Sequence, residues 1–339
     1  MRNARPLRRW LLLCMALVAM MVLIGGLTRL TESGLSIVKW KLVTGTLPPL
    51  SAESWNQEFT DYQASPQYKL VNHDFSLADF QHIYWLEYLH RLIGRLVGLA
   101  IFLPFLYFLA RRQLGRFMVV RSLQMFFLVA LQGTVGWVMV ASGLHNEPRV
   151  EPLKLALHLS LAFSLFLLML WTYWQLSGRT RFSTSAPIAF SARALFLVIF
   201  AQIIFGALVA GLRAGLSYNT YPLMDGQWVP DGLWTLSPWW RNHLESILTV
   251  QFQHRMGALV VLAIGFAIVA TAWRKTVALH RELRILLWAL LLQFSLGVAT
   301  LLSQVNHGFA STHQLGALVL LSAALNLVYR FSVKNPLND

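Results

Sequence analysis

Of the ten histidines in this 339-residue chain, four are embedded in long apolar runs: His90, His158, His254 and His313. An imidazole can ligate a metal or carry a proton. Within a membrane it can also do no more than hydrogen-bond two helices together. Taken singly, such a residue is as readily structural as functional, although ionisable groups at membrane depth tend to be functional. The neighbourhood of His90 is the most polar. In EYLHRLIGR, Glu87 precedes His90 by three residues and so shares its helix face, and Arg91 follows directly. In the related stretch QFQHRMGAL, Arg255 keeps its place after His254, but Gln251 stands where the acid was. An ion pair with Arg91 would lower the cost of burying Glu87. Arg255 has no such acid, so the arginine has a purpose beyond pairing, and a ligand carboxylate is one candidate for it. The residue four positions after each histidine is small: Gly94, Ala162, Ala258 and Ala317. Positions i and i+4 share a helix face, which leaves room beside each imidazole for a flat, broad ligand. Small-residue packing between helices would use the same chemistry.

The elements that must position these residues are membrane helices. The chain is 56% hydrophobic and 12% charged, against about 25% charged in soluble domains. Spans of about 20 apolar residues are expected near 10–29, 82–110, 118–141, 153–176, 194–212, 248–272, 285–304 and 311–330. The net charge of +14 sits largely in short loops and at the N-terminus, as topology signals do, and no nucleic-acid role follows from it. By the positive-inside rule both termini are cytoplasmic, and residues 30–81 and 213–247 form two large outer loops. The single cysteine, Cys14, excludes a disulfide or zinc framework within one chain. The first apolar run is expected to stay as a helix rather than leave as a signal peptide, and the short basic N-terminus favours a bacterial protein over an organelle precursor. Trp10, Tyr84, Trp85, Trp239 and Trp240 are expected as interfacial anchors.

The chain also repeats itself. GGLTRLTESGLS (25–36) aligns with GALVAGLRAGLS (206–217), EYLHRLIG with QFQHRMGA, and Gln132 and Gly136 with Gln293 and Gly297. The fold class that follows is an all-α polytopic membrane protein of eight transmembrane helices, arranged as two pseudo-symmetric four-helix bundles in parallel repeat. Its expected parts are an N-terminal half (1–176), a cytoplasmic linker (177–193) and a C-terminal half (194–339). The histidines then fall at one depth, toward the outer leaflet, as one pair per half. Two haems, each between two histidine-bearing helices, fit this pattern. Zinc or copper would want more ligands. An acid beside only one pair points to one site that does chemistry and one that holds a cofactor. A dihaem electron-transfer protein of the cytochrome b type, such as a quinol or ferric reductase, is the alternative. It explains the histidines but not the Glu87/Gln251 difference.

These segments, with LKLALHLS, AGLSYNTYPLMDGQWVP and STHQLGALVLL, resemble the haem A synthase family in its proteobacterial and mitochondrial branch, over nearly the whole chain and in the family's order. The resemblance implies a membrane oxidoreductase of the bacterial inner membrane that oxidises the C8 methyl group of haem O to a formyl group by successive hydroxylations. It implies that haem-ligating histidines fall at His90, His158, His254 and His313, and an essential acid at Glu87. Haem b would occupy the C-terminal half with His254, His313 and Arg255, and haem O the N-terminal half with His90, His158 and Arg91. Expected partners are the lipid bilayer, haem O synthase and terminal oxidase subunits, with a homo-oligomer left open.

Overall fold

The computed structural model describes residues 4–41, 44–145, 147–182, 184–275 and 277–332. Eight helices are long and apolar enough to cross a membrane: α1 (Arg5–Leu30), α4 (Leu77–Ala110), α5 (Arg116–Gly143), α6 (Pro152–Leu176), α7 (Ala186–Gly211), α9 (Ile247–Lys275), α10 (His280–Leu302) and α11 (His307–Arg330). Three shorter ones, α2 (Ala52–Gln63), α3 (Pro66–Leu70) and α8 (Asn242–Glu245), lie in the two long connections. Among the described residues the only β-type pairing is a single bridge between Met224 and Gln227. The chain is an all-α integral membrane protein, as expected. It divides into two compact units, Met1–Phe166 and Leu167–Asp339, so the division falls inside α6.

Helix ends follow local chemistry. The Ser76 side chain accepts from Asp79 N while Asp79 reaches back to Ser76 N, a reciprocal cap that starts α4 well before its apolar stretch. With 34 residues, α4 is about 51 Å long, against a hydrocarbon core of about 30 Å. Its first turns therefore stand clear of the apolar stretch and carry Phe80 and Tyr84 into a cluster with Tyr62 and Tyr88. Tyr62 stacks on Phe80 at 5.0 Å, and Trp55 meets Tyr84 edge-on at 5.0 Å. Lys39–Asp61 and Lys41–Glu58, both 2.6 Å, fasten the preceding loop to α2. Asn306 caps α11 by accepting from Gly308 N at 3.0 Å.

Two of the expected anchors are interior residues. Trp10 is buried, packs on Phe108 and donates to the Ala100 carbonyl at 2.7 Å. Tyr84 is buried by the aromatic cluster under α2. Composition near a span end could not reveal either partner. Trp85, Trp239 and Trp240 are exposed.

The second unit packs α7 on α9, α9 on α10, α10 on α11 and α11 back on α7. Away from its long loop, Arg330 fixes the segment that leads into α7. It donates to the Thr180 carbonyl at 2.9 Å, pairs with Glu282 at 3.3 Å, and accepts from Phe182 N through its own carbonyl at 2.7 Å.

Candidate functional site

The first and second units use one local device to turn a helix end into a loop. After α1, Glu32 adopts a left-handed conformation (φ 56°) and a 3-10 turn, Ser33–Leu35, follows. After α7, Arg213 does the same (φ 55°) before Ala214–Leu216. The chain leaving each turn is then gripped from the neighbouring long helix. In the first unit, Glu87 accepts from Ser36 Oγ at 2.6 Å and from Ile37 N at 2.8 Å through one oxygen, and from Arg91 at 2.5 Å through the other. Arg91 also donates to the Ile37 carbonyl at 2.9 Å and lies over the Trp40 ring. In the second unit, the Gln251 amide donates to the Ser217 carbonyl at 2.7 Å. Arg255 donates to the carbonyls of Thr220, at 2.8 Å, and Tyr218. The polar residues beside each histidine therefore hold a loop through its main chain. Glu87 is only 2% exposed, and its charge is paired with that of Arg91.

One to two helical turns into α6, α9 and α11, and about four into the longer α4, stand the four histidines. His254 and His313 face each other with ring centres 6.5 Å apart and planes at 88°. Two metal–imidazole bonds of about 2 Å each, added to the two ring radii, bring the ring centres of an axially ligated pair to roughly 6 Å. The pair thus fits one haem iron between two imidazoles. His90 and His158 both lie in the first unit. None of the four is fully buried, and the small residues one turn on, Gly94, Ala162, Ala258 and Ala317, are likewise part-exposed. Each pair therefore borders open space rather than sealed core. Among the described residues no group of three or more His, Cys, Asp or Glu side chains is placed to hold a metal ion, so ligation by these residues would be pairwise.

Each imidazole lies edge-on against a glycine of another helix. A Cβ at Gly25, Gly136 or Gly297 would stand 2.9 Å from Cε1 of His90, His158 or His313, and one at Gly206 would stand 3.0 Å from that of His254. Any side chain there would push the ring away. Gly25 and Gly206, and Gly136 and Gly297, were aligned by sequence, but their task is visible only in the packing. The signal was present in the spacing: QGTVG (132–136), QIIFG (202–206) and QFSLG (293–297) share a glutamine four residues before the glycine. Gln202 was missed. Its amide donates to the His254 carbonyl at 2.7 Å and lies 3.0 Å from His254 Nδ1. Gln293 donates to the His313 carbonyl at 3.0 Å, and His313 Nδ1 lies 3.1 Å from the Gln293 carbonyl. With Nδ1 donating there, Nε2, which lies 3.5 Å from the Gln293 amide nitrogen, would be the nitrogen open to a ligand.

Other histidines have local partners instead. His243 lies between Trp234 and Trp239 and is hydrogen-bonded to Gln253 at 2.9 Å. His280 stacks on Trp273 at 3.9 Å.

Known proteins resemble this chain over nearly its whole length. A protein named "Heme A synthase" from Bradyrhizobium diazoefficiens is 49% identical over 325 residues, 95% of this chain and 90% of its own. Proteins of the same name from Parvibaculum lavamentivorans and Nitrosospira multiformis are 45% and 44% identical, covering 97% and 95% of this chain and 95% and 92% of their own. Residues 8–325 match the cytochrome oxidase assembly proteins described as COX15-CtaA. With nearly its whole length aligned, the chain belongs to the COX15-CtaA family of cytochrome oxidase assembly proteins.

Proposed function

We propose that this membrane protein is a haem A synthase, oxidising a methyl group of haem O to the formyl group of haem A for terminal oxidase assembly. The family match and the names of the relatives support the reaction. The observation that carries the division of labour is the Glu87/Gln251 difference: two histidine pairs stand in two similar settings, and only the first has a carboxylate. A dihaem electron-transfer protein would have no use for that difference, and none of the relatives named above bears such a name.

In this reading His254 and His313 hold haem b, which supplies one-electron redox chemistry when bound. Buried Arg255 Nε has no hydrogen-bond partner, and a propionate would satisfy it. His90 and His158 orient the substrate haem, with Arg91 fixing the loop above it. Glu87 accepts from three donors and does not donate. That arrangement suits a fixed negative charge that stabilises positive charge developing at the reacting methyl carbon better than it suits a base free to take a proton. The setting is the bacterial inner membrane, with both termini cytoplasmic and the long loops outside. Haem O synthase and oxidase subunits would be its working partners.

The test is Glu87→Gln in a reconstituted system. Loss of an electrostatic group aimed at the transition state costs on the order of 10²-fold or more in rate. Haem A formation should fall by about that factor while haem b content stays at the wild-type level. Ser36→Ala, which removes a clamp bond but keeps the acid, should stay within a few fold of wild type. Wild-type haem A yield from folded, haem-b-loaded Glu87→Gln would remove Glu87 from the chemistry.

A further inference from the structure

The seats of the four histidines differ between the units in a way that the loop clamps do not. In the second unit each glutamine of the Q-x-x-x-G turn reaches across to the next ligand helix, and a second glycine makes room for it. A Cβ at Gly257 would collide with the Gln202 side-chain amide, and one at Gly316 with that of Gln293. Both glycines stand three residues after the histidine, in HRMG (254–257) and HQLG (313–316). Glutamine and glycine are thus two parts of one lock. It ties the main chain of the histidine-bearing turn to the neighbouring helix.

Neither seat in the first unit has this lock. Met21 takes the glutamine position before Gly25, and thioether sulfur is a weak acceptor and no donor. The second site retains Gln132, but among the described residues its amide makes no bond to the His158 carbonyl of the kind that Gln202 and Gln293 make to His254 and His313. His158 Nδ1 turns toward the Gln132 carbonyl without closing a hydrogen bond of good geometry. Buried His90 Nδ1 has no partner either. The enabling glycines are also missing: HRLI (90–93) and HLSL (158–161) place Ile93 and Leu161 where the second unit has Gly257 and Gly316. A side chain there fills the space the glutamine amide would need. At His90 both partners are replaced, and at His158 the glutamine stays but the glycine does not, so neither seat of the first unit holds the complete pair.

We infer that the glutamine–glycine locks at Gln202/Gly257 and Gln293/Gly316 set how long a haem is retained, and that their absence around His90 and His158 leaves that site able to exchange its haem. A retained cofactor needs ligands whose helices do not part. A substrate site must open once per turnover. Each lock bond lies in a setting where little water competes, and one buried hydrogen bond is worth about 1 kcal/mol net. Five- to tenfold in residence time per lock is therefore the expected scale, since tenfold is about 1.4 kcal/mol. The inference rests on the reading of haem b in the second unit and substrate haem in the first.

The experiment follows haem loss from the purified, haem-loaded full-length protein in detergent into a large excess of apomyoglobin. Wild type should release haem in a fast phase and a slow phase. Gln202→Met, which copies Met21, should speed the slow phase about five- to tenfold and leave the fast phase alone. Leu161→Gly, which opens the space Gln132 needs, should slow the fast phase by a similar factor. Circular dichroism and size-exclusion profiles identify folded variants, and if one variant does not fold the other decides. Wild-type kinetics in both phases from a folded variant overturns the inference. Extraction of haem A, haem O and haem b from wild type tests the functional reading separately. That reading can stand while the locks prove irrelevant. If wild type carries no slowly released haem, the reading of a retained haem b and the inference fall together.

Discussion

The glycine seats make the sharpest claims at the scale of the residue. Real Cβ atoms rarely come as close as about 3 Å to another heavy atom, so alanine at Gly206 requires the His254 ring to give by a few tenths of an ångström. Gly206→Ala should weaken or abolish the low-spin haem b spectrum, whereas Gly25→Ala should spare that spectrum and lower haem A formation. An unaltered spectrum and haem content in folded Gly206→Ala would show that the ring has slack and that the seat is not needed. The histidines themselves were legible in the sequence because four ionisable groups in apolar helices have few explanations, and because the duplication supplied an internal control. The seats were not. Glycine is common in membrane helices for packing reasons, so Gly25 or Gly206 carried no distinct signal until its neighbour could be seen. Gln202 was hidden differently: its counterpart is Met21, so the two halves share no residue at that position to mark it.

At the scale of the element, the spans were legible to within a few residues and the long loops were not. Residues 30–81 read as a loop because no apolar periodicity runs through them. They hold α2 and α3, whose starts are marked only by Ser51 and by Ser65 with Pro66 and whose stability comes from packing on the first turns of α4. Burial pushes the Tyr62 phenol up to about 12, its hydrogen bond from Asn72 opposing this only in part. A group whose folded pKa is raised stabilises the fold below its unfolded value, near 10, and loses that contribution as pH rises through the folded one. The α2–α3 cap should therefore loosen between about pH 10 and 12. Tyr62→Phe, read by limited proteolysis of the cap against pH, should move that loosening. An identical proteolysis profile for Tyr62→Phe and wild type would place its origin elsewhere.

For the whole molecule, the eight described helices that are long and apolar enough to cross a membrane would, if all cross, bring the two ends of the chain out on one side. We propose, from the arginines of the short loops, that this side is the cytoplasm. A fluorescent protein fused after the C-terminus should glow, and alkaline phosphatase fused there should stay inactive. The reverse pattern would invert the topology and put the long loops inside the cell. The number of spans was the easiest feature to read from sequence, because hydrophobic length is summed over many residues and survives local errors.

The hydrogen bonds by which Arg91 and Arg255 hold their loops end on carbonyl oxygens, which every residue possesses. Such a grip is blind to side chains. It fixes where each loop starts and leaves its content free, so substitutions at Ile37 or Tyr218 should be tolerated while one inserted or deleted residue there should not. The two loops have used that freedom: one carries the helical cap of α2 and α3, the other a tryptophan-rich segment around α8. Two similar helix–loop junctions can thus carry different roofs without disturbing the histidine-bearing turns.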